Sequence, residues 1–165
     1  MNEIWDKTVL TQADYKHLIG FITFGLVRRC AIRPGALTMM TLAEFSKPIK
    51  IGEHSYMVHN VGQKASATND AVVNFSTDVY EALQRYVSMW RAPAMLQNEK
   101  VVLNYKQNVA LTSQELGRIC GDLFKSVHDK DFCFTDYRKH LQTAFCHTTR
   151  NKEEIKWFNR VMEHR

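Results

Sequence analysis

The fold class follows from residues 48–75, which read PIKIGEHSYMVHNVGQKASATNDAVVNF. Runs of β-forming residues alternate in this segment with turn-like residues. The runs are Ile49–Ile51, Tyr56–Val61 and Val72–Phe75, and the turns lie at Gly52 and at residues 65–70. The simplest structure for this pattern is a three-stranded antiparallel sheet, with Lys64 in the turn after the second strand.

Helical patterns lie on both sides of this sheet. Before it, Thr11-Gln-Ala-Asp14 has the form of a capping box and opens a helix that reaches about Arg29, and Pro34 opens a short second helix. The helices predicted after it run from Ser76 to about Trp90, from Thr112 to about Val127, from Tyr137 (capped by Thr135 and Asp136) to about His147, and from Asn151 to the terminus, with Val101–Leu103 as a candidate short strand. This order predicts a mainly α (α+β) domain.

The composition is that of one folded domain covering residues 1–165. Hydrophobic residues make up 45% of the chain, and nine Phe, six Tyr and three Trp exclude a disordered tail. The longest apolar run, Leu18–Val27, is too short to span a bilayer, and the first residues lack a signal-peptide pattern. We therefore expect an intracellular protein that does not bind membranes. We expect reduced core thiols at the four cysteines, Cys30, Cys120, Cys133 and Cys146.

The positive charge is concentrated at the end of the chain. The formal net charge is +5, and the stretch from Arg138 to Arg165 holds seven basic residues against three acidic ones. This asymmetry favours an anionic partner, nucleic acid first, and a solvated basic face is the alternative.

Four basic side chains stand at strongly structured places. Arg33 lies at the break between two apolar helices, Lys64 in a β-turn, Arg138 one turn into a helix with apolar neighbours, and His164 at the end of the last helical pattern. Each also has an ordinary structural interpretation: a helix cap, a solvated turn residue, a surface residue and a terminal histidine.

Taken in order, these residues resemble the catalytic set of the tyrosine recombinases, the family of phage integrases and their transposon-borne relatives. The family's Gly-x-Arg-x-x-Glu-Leu segment is similar to Cys30–Leu37, with Thr41–Phe45 as its continuation. The catalytic lysine of a β-hairpin is matched by Lys64, the His-x-x-Arg box by Thr135–Arg138, and the later Leu/Met-x-His segment by Met162–His164. The resemblance covers nearly the whole chain and implies a tyrosine-recombinase catalytic-domain-like fold.

The pattern departs from the family at three places. Ala36 replaces the usual glutamate and Thr135 replaces the first histidine of the box, positions at which eukaryotic transposon-borne relatives are looser. The nucleophilic tyrosine should follow His164, and no tyrosine does so before Arg165. We therefore expect a catalytic-type domain truncated before the segment that bears the nucleophile, and unable to cut DNA unaided.

The resemblance assigns a role to each residue of the set. Arg33 and Arg138 would hold a backbone phosphate with forked, permanently charged donors, Lys64 would act as general acid, and His164 would add a donor or acid/base group. A tyrosine oxygen would attack and conserve the bond energy, so neither cofactor nor metal is implied. The His and Cys residues around Arg138 (Cys133, His140, Cys146 and His147) also lack regular zinc spacing, and we expect no metal site.

The expected partners are double-stranded DNA and either a second copy of the chain or another partner that supplies the tyrosine segment, with a nuclear location. Two alternatives remain open. The chain could be a domesticated, non-catalytic DNA-binding or regulatory module, or a protein-interaction domain whose basic face is incidental.

Overall fold

A computed structural model describes the backbone of residues 2–30, 33–59, 72–91, 97–149 and 151–161. The helices before the sheet are α1 (Asn2–Trp5), α2 (Gln12–Cys30), α3 (Pro34–Met39) and α4 (Leu42–Phe45). The sheet consists of β1 (Ile49–Ile51), β2 (Ser55–His59) and β3 (Val72–Ser76). The later helices are α5 (Thr77–Arg85), which continues as a π turn (Tyr86–Trp90), then α6 (Ser113–His128), α7 (Phe134–Thr148) and α8 (Lys152–Val161). The predicted class, mainly helical with a small three-stranded antiparallel sheet, is confirmed.

Helix α2 is the central element of the core. The predicted capping box starts it, because the Thr11 backbone N–H donates to the Asp14 carboxylate at 3.0 Å and the Asp14 N–H donates to the Thr11 hydroxyl at 3.2 Å. Its apolar residues Leu18, Ile19 and Ile22 are fully buried. The elements that pack around α2 are β3, α3, α5 and α6. This arrangement fixes the direction in which the chain leaves α2 at its C-terminal end.

Two short helices follow α2. Pro34 stands in the first turn of α3, as predicted, where its missing N–H costs no hydrogen bond. Thr41 caps α4 through a capping box with Glu44, whose backbone N–H donates to the Thr41 hydroxyl at 3.2 Å. The Thr38 hydroxyl lies 3.4 Å from that of Ser113, so α3 meets the start of α6.

The sheet has the order β1-β2-β3 with both pairs antiparallel. Val58 lies opposite Val73, and both are fully buried on the face towards the helices. β1 is an edge strand that exposes Ile49 and Ile51. Lys64, and the Val61 expected at the end of the second strand, lie outside the described residues.

The candidate strand at Val101–Leu103 is wrong. These three residues are fully buried, but they form only an isolated bridge between Leu103 and Ala110. The Leu103 N–H donates to the Tyr86 hydroxyl at 3.3 Å, and the Leu103 carbonyl accepts from the Tyr15 hydroxyl at 2.5 Å. Side chains therefore supply the hydrogen bonds of Leu103, whereas the Val101 N–H donates to the Met40 carbonyl at 2.9 Å and the Val102 carbonyl accepts from the Leu111 N–H at 3.2 Å.

The predicted start of α7 is also wrong. The helix begins at Phe134, with Cys133 at the cap position and no side-chain cap hydrogen bond, so Thr135 and Asp136 lie in its first turn. Phe134 packs with Val27 and Cys120 in a small cluster of buried residues, and this packing sets the first turn three residues earlier than the local signal. The predicted start of the last helix is confirmed, because α8 begins at Lys152 and the Asn151 side-chain oxygen accepts from the Glu153 N–H at 3.0 Å. The predicted end of this helix, at the terminus, lies outside the described residues.

Within the described ranges, none of the helices combines the length and the apolar character needed to cross a membrane.

Candidate functional site: two arginines at the end of the central helix

Arg33 lies at the break after α2, where the sequence predicts it. Its backbone is extended (φ −72°, ψ 140°) and its carbonyl accepts the Ala36 N–H at 2.9 Å, which makes it the N-cap residue of α3. Its side chain is exposed and makes no cap hydrogen bond. The Arg33 side chain therefore lies at the surface, at the N-terminal end of α3.

Arg138 lies on α7, and it is more buried than expected for a surface residue, which was its ordinary structural interpretation. Only 8% of the residue is exposed, although it carries a permanent charge. Burying such a charge costs several kcal/mol unless hydrogen bonds and counter-charges compensate it, so a cation is rarely placed there by packing alone. Its apolar neighbours on α7 are more exposed than Arg138 itself: Leu141 and Phe145 are half-buried and Ala144 is exposed.

Both arginines belong to the same end of α2. Arg33 follows the last residue of α2, Cys30, by three positions. Arg138 stands one turn after Phe134 on one face of α7, and Phe134 packs on Val27 in the last turn of α2. The other two predicted site residues, Lys64 and His164, lie outside the described residues.

An aromatic cluster supports the beginning of α7. The Phe132 ring meets the Phe24 ring edge-on at 5.1 Å and the Phe134 ring edge-on at 4.9 Å, and the Phe124 ring lies tilted at 5.0 Å from Phe132. A groove of about 930 Å³ runs beside this cluster, and its exposed ionisable side chains are Arg28, Lys130, Asp131, Asp136 and His140. The rings fix the axis of α7 and with it the position of Arg138.

A third cation, Arg91, is buried without any signal in the sequence. It is 3% exposed and donates from Nη2 to the carbonyls of Asn98 and, at 3.0 Å, Lys100. Its Nε and Nη1 have no partner among the described residues. Burial lowers the pKa of this guanidinium. At the end of an amphipathic helical pattern, Arg91 would be assigned to solvent from its sequence context alone.

The cysteines only partly match the core thiols that we expected. Cys120 is buried, and burial raises its pKa to about 12. Cys133, which precedes α7, and Cys146, on α7, are both exposed, so the expectation of core positions is wrong for these two. The side chain of Cys30 lies outside the described residues. Over the described ranges, no three side chains of His, Cys, Asp or Glu come together as metal ligands.

A mostly helical chain with a long central helix and a small three-stranded antiparallel sheet is consistent with a recombinase catalytic-domain-like fold. The chain is similar in structure to the solved structure of XerA recombinase, a tyrosine recombinase, with a TM-score of 0.56 over 94% of this chain and 16% sequence identity. The match covers 56% of that recombinase. At this identity the likeness establishes the fold. No protein-family model and no curated protein matches the sequence.

Proposed function

We propose that this domain binds double-stranded DNA as a recombinase-type catalytic core, with one backbone phosphate held between Arg33 and Arg138. The observation that supports the proposal is the burial of Arg138 on α7, since the sequence resemblance matches this residue to the family's second arginine. A buried guanidinium presents its donors in a fixed direction, and a forked donor matches two oxygens of a phosphate. Arg33 is exposed at the start of α3, just after the same end of α2, and would supply the second donor.

The two remaining members of the set complete the chemistry of the proposed site. During strand cleavage, a tyrosine oxygen forms a bond to phosphorus while the bond from phosphorus to the leaving deoxyribose oxygen breaks. Lys64 would give the proton to that leaving oxygen, and His164 would donate to a non-bridging oxygen or act as acid/base. The phosphotyrosyl link conserves the energy of the broken bond, so the reverse reaction can rejoin the strand.

None of the six tyrosines in these residues follows His164. We therefore propose that this 165-residue chain binds DNA and does not cleave it alone. Cleavage would need a tyrosine from another segment or from a second protomer. A transposon-derived protein acting in the nucleus fits this activity, as does a domesticated descendant that retains only binding.

The first test is fluorescence anisotropy with a labelled DNA duplex over a series of salt concentrations. Phosphate-dominated binding weakens as salt rises, with a slope of about −0.9 per phosphate contacted. Arg138→Lys keeps the charge but removes the fork, and it should weaken binding by about tenfold or more, as expected when a hydrogen bond to a charged group is lost. Arg33→Ala should lower the salt slope by about one.

Arg118→Ala is the matched control, because Arg118 is an exposed arginine on α6 that is not part of the proposed site. Circular dichroism and thermal melting establish that each variant is folded. If folded Arg33→Ala and Arg138→Lys bind DNA as the control does, or if binding does not depend on salt, the phosphate site is refuted.

A denaturing gel then separates binding from cleavage. The chain alone should give no covalent DNA adduct. The oligomeric state, measured by light scattering with and without duplex, shows whether DNA brings two copies together. If the chain binds another protein, and this binding is unchanged when both Arg33 and Arg138 are replaced, the protein-interaction alternative is favoured.

A further inference from the structure

We propose that a small aromatic cavity at the N-terminal end of α2 binds a planar aromatic anion. The cavity has a volume of about 260 Å³ and lies between α2, the π turn and the chain after Leu103. The side chains that matter for the argument are Tyr15, Tyr86, Met89, Trp90, Tyr105 and Lys106. Pockets for drug-sized ligands occupy about 300–1,000 Å³, so this one suits a single ring system.

The four aromatic side chains are fixed by hydrogen bonds to backbone carbonyls. The hydroxyls of Tyr15 and Tyr86 donate to the Leu103 carbonyl at 2.5 and 3.5 Å. The Trp90 indole N–H donates to the Lys7 carbonyl at 2.9 Å, and the Tyr105 hydroxyl donates to the Leu10 carbonyl at 2.8 Å. Their polar groups are thus directed to the backbone. Tyr15 and Tyr86 are only 5% and 3% exposed, so the ring surface of the cavity comes mainly from the half-buried Tyr105 and Trp90, and Trp90 also stacks on Trp5 at 6.0 Å. Immobile ring faces favour stacking with another planar ring.

The charge at the cavity is positive. Lys106 is exposed, with its ammonium 5.3 Å from the centre of the Tyr105 ring. The described residues that line the cavity include no carboxylate. A ligand that stacks on the rings and carries an anionic substituent can therefore reach the Lys106 ammonium without repulsion from the lining.

Two uncommon backbone features border the same cavity. Lys106 has a left-handed backbone (φ +53°), which is uncommon outside glycine. On the other side, α5 continues into the π turn at Tyr86–Trp90, a geometry that occurs mostly as single turns and often at functional sites. Lys106 supplies the cation, and the π turn supplies the rings of Tyr86 and Trp90. Energetically unfavourable backbone conformations are therefore concentrated where the ligand would bind.

This cavity is separate from the proposed phosphate site. Tyr15 and the last residue of α2, Cys30, are fifteen positions apart in the same helix, a distance of about 22 Å along its axis. The inference therefore does not rest on the proposed DNA-binding function. Two sources share the required chemistry, a nucleoside monophosphate and a small aromatic carboxylate.

The experiment is isothermal titration calorimetry of the full chain with four probes. Adenosine monophosphate and benzoate carry both a ring and an anion, adenosine has only the ring, and ribose 5-phosphate has only the anion. We expect at least one of the first two to bind, adenosine to bind about fivefold more weakly than its monophosphate, and ribose 5-phosphate not to bind. Fivefold corresponds to the upper range for one exposed ion pair. If neither aromatic anion binds, or if ribose 5-phosphate binds as well as either, the proposal is overturned.

Three variants locate the binding. Lys106→Gln should weaken the aromatic anion about fivefold, and Lys47→Gln, an equal charge change at an exposed position away from the cavity, should not. Met89→Trp should abolish binding by filling the cavity, and Met89 is 48% exposed, so this variant is expected to fold. The Trp90 indole N–H resonance should shift on titration of the unmodified protein. Binding that survives Met89→Trp, or that is lost in Arg138→Lys, would place the ligand elsewhere and overturn the inference.

Discussion

Replacing Gly25 by alanine tests how closely α2 packs on α5. A Cβ at Gly25 would lie 2.3 Å from Cγ2 of Val79, closer than real Cβ atoms approach a neighbour. Val79 is 2% exposed, and its β-branched side chain has little rotamer freedom, so it cannot move aside. Overpacking costs about 1–3 kcal/mol, and so deep an overlap belongs at the upper end. The higher helix propensity of alanine offsets about 1 kcal/mol, which leaves a net loss of about 2 kcal/mol.

Gly20→Ala is the matched control in the same helix. Its Cβ would lie 2.2 Å from Cδ1 of Leu123, an apparently equal conflict. Leu123 is half-buried and the conflicting atom ends a flexible side chain, so a rotamer change removes the overlap. The propensity gain then dominates, and Gly20→Ala should be neutral or more stable by up to about 1 kcal/mol.

Urea unfolding followed by circular dichroism measures both variants. Adding Val79→Ala to Gly25→Ala should recover part of the loss, with a coupling of about 1–3 kcal/mol in the double-mutant cycle. The packing described for α2 and α5 is refuted if Gly25→Ala is as stable as Gly20→Ala, or if the cycle shows no coupling.

Three further experiments test the hydrogen bonds of Tyr86 and Glu115 and the burial of Cys120. Tyr86→Phe leaves the buried Leu103 N–H without its acceptor and should cost about 1–3 kcal/mol in urea unfolding; a loss within error would exclude that bond. Burial raises the pKa of Cys120 to about 12, so iodoacetamide at mildly alkaline pH should label the exposed Cys133 and spare Cys120, as read by peptide mass spectrometry. Hydrogen bonds from Thr112 lower the pKa of Glu115, so the contribution of this carboxylate to folding stability is present above the ordinary carboxyl pKa and is lost as pH falls through the lowered value. Glu115→Gln should therefore reduce the fall in melting temperature at acidic pH. An unchanged fall would assign it to other groups.

The parts of the fold that depend on local signals were predictable from sequence. Thr11 with Asp14 and Thr112 with Glu115 both form the capping interactions that their spacing indicates, since a cap involves residues three positions apart. α4, which spans four residues, offers no apolar period from which to predict it, although its Thr41 has the same capping pattern.

Features set by tertiary packing were not predictable from sequence. α7 begins at Phe134 because that ring enters a cluster with residues from two other helices, and its own local signal points three residues later. For the candidate site, the order of residues predicts Arg33 and Arg138 as a pair, but it cannot distinguish the exposed arginine from the buried one. That difference arises from the way α7 meets α2. The burial of Arg91 likewise depends on carbonyls of a loop that follows it.

The edge strand β1 affects how the protein behaves at high concentration. Ile49 and Ile51 are 47% and 45% exposed on a strand that pairs on one side only, so the free edge offers both backbone hydrogen bonds and apolar surface to another molecule. The strand is only three residues long and carries Lys50 at its centre, which limits growth of a shared sheet through charge repulsion. Colloidal stability should therefore fall as salt screens Lys50. The proposed contacts to phosphate would weaken under the same condition. With that proposed binding, storage buffers would face opposite demands: enough salt to prevent nonspecific binding to nucleic acid, and little enough to keep the sheet edges apart.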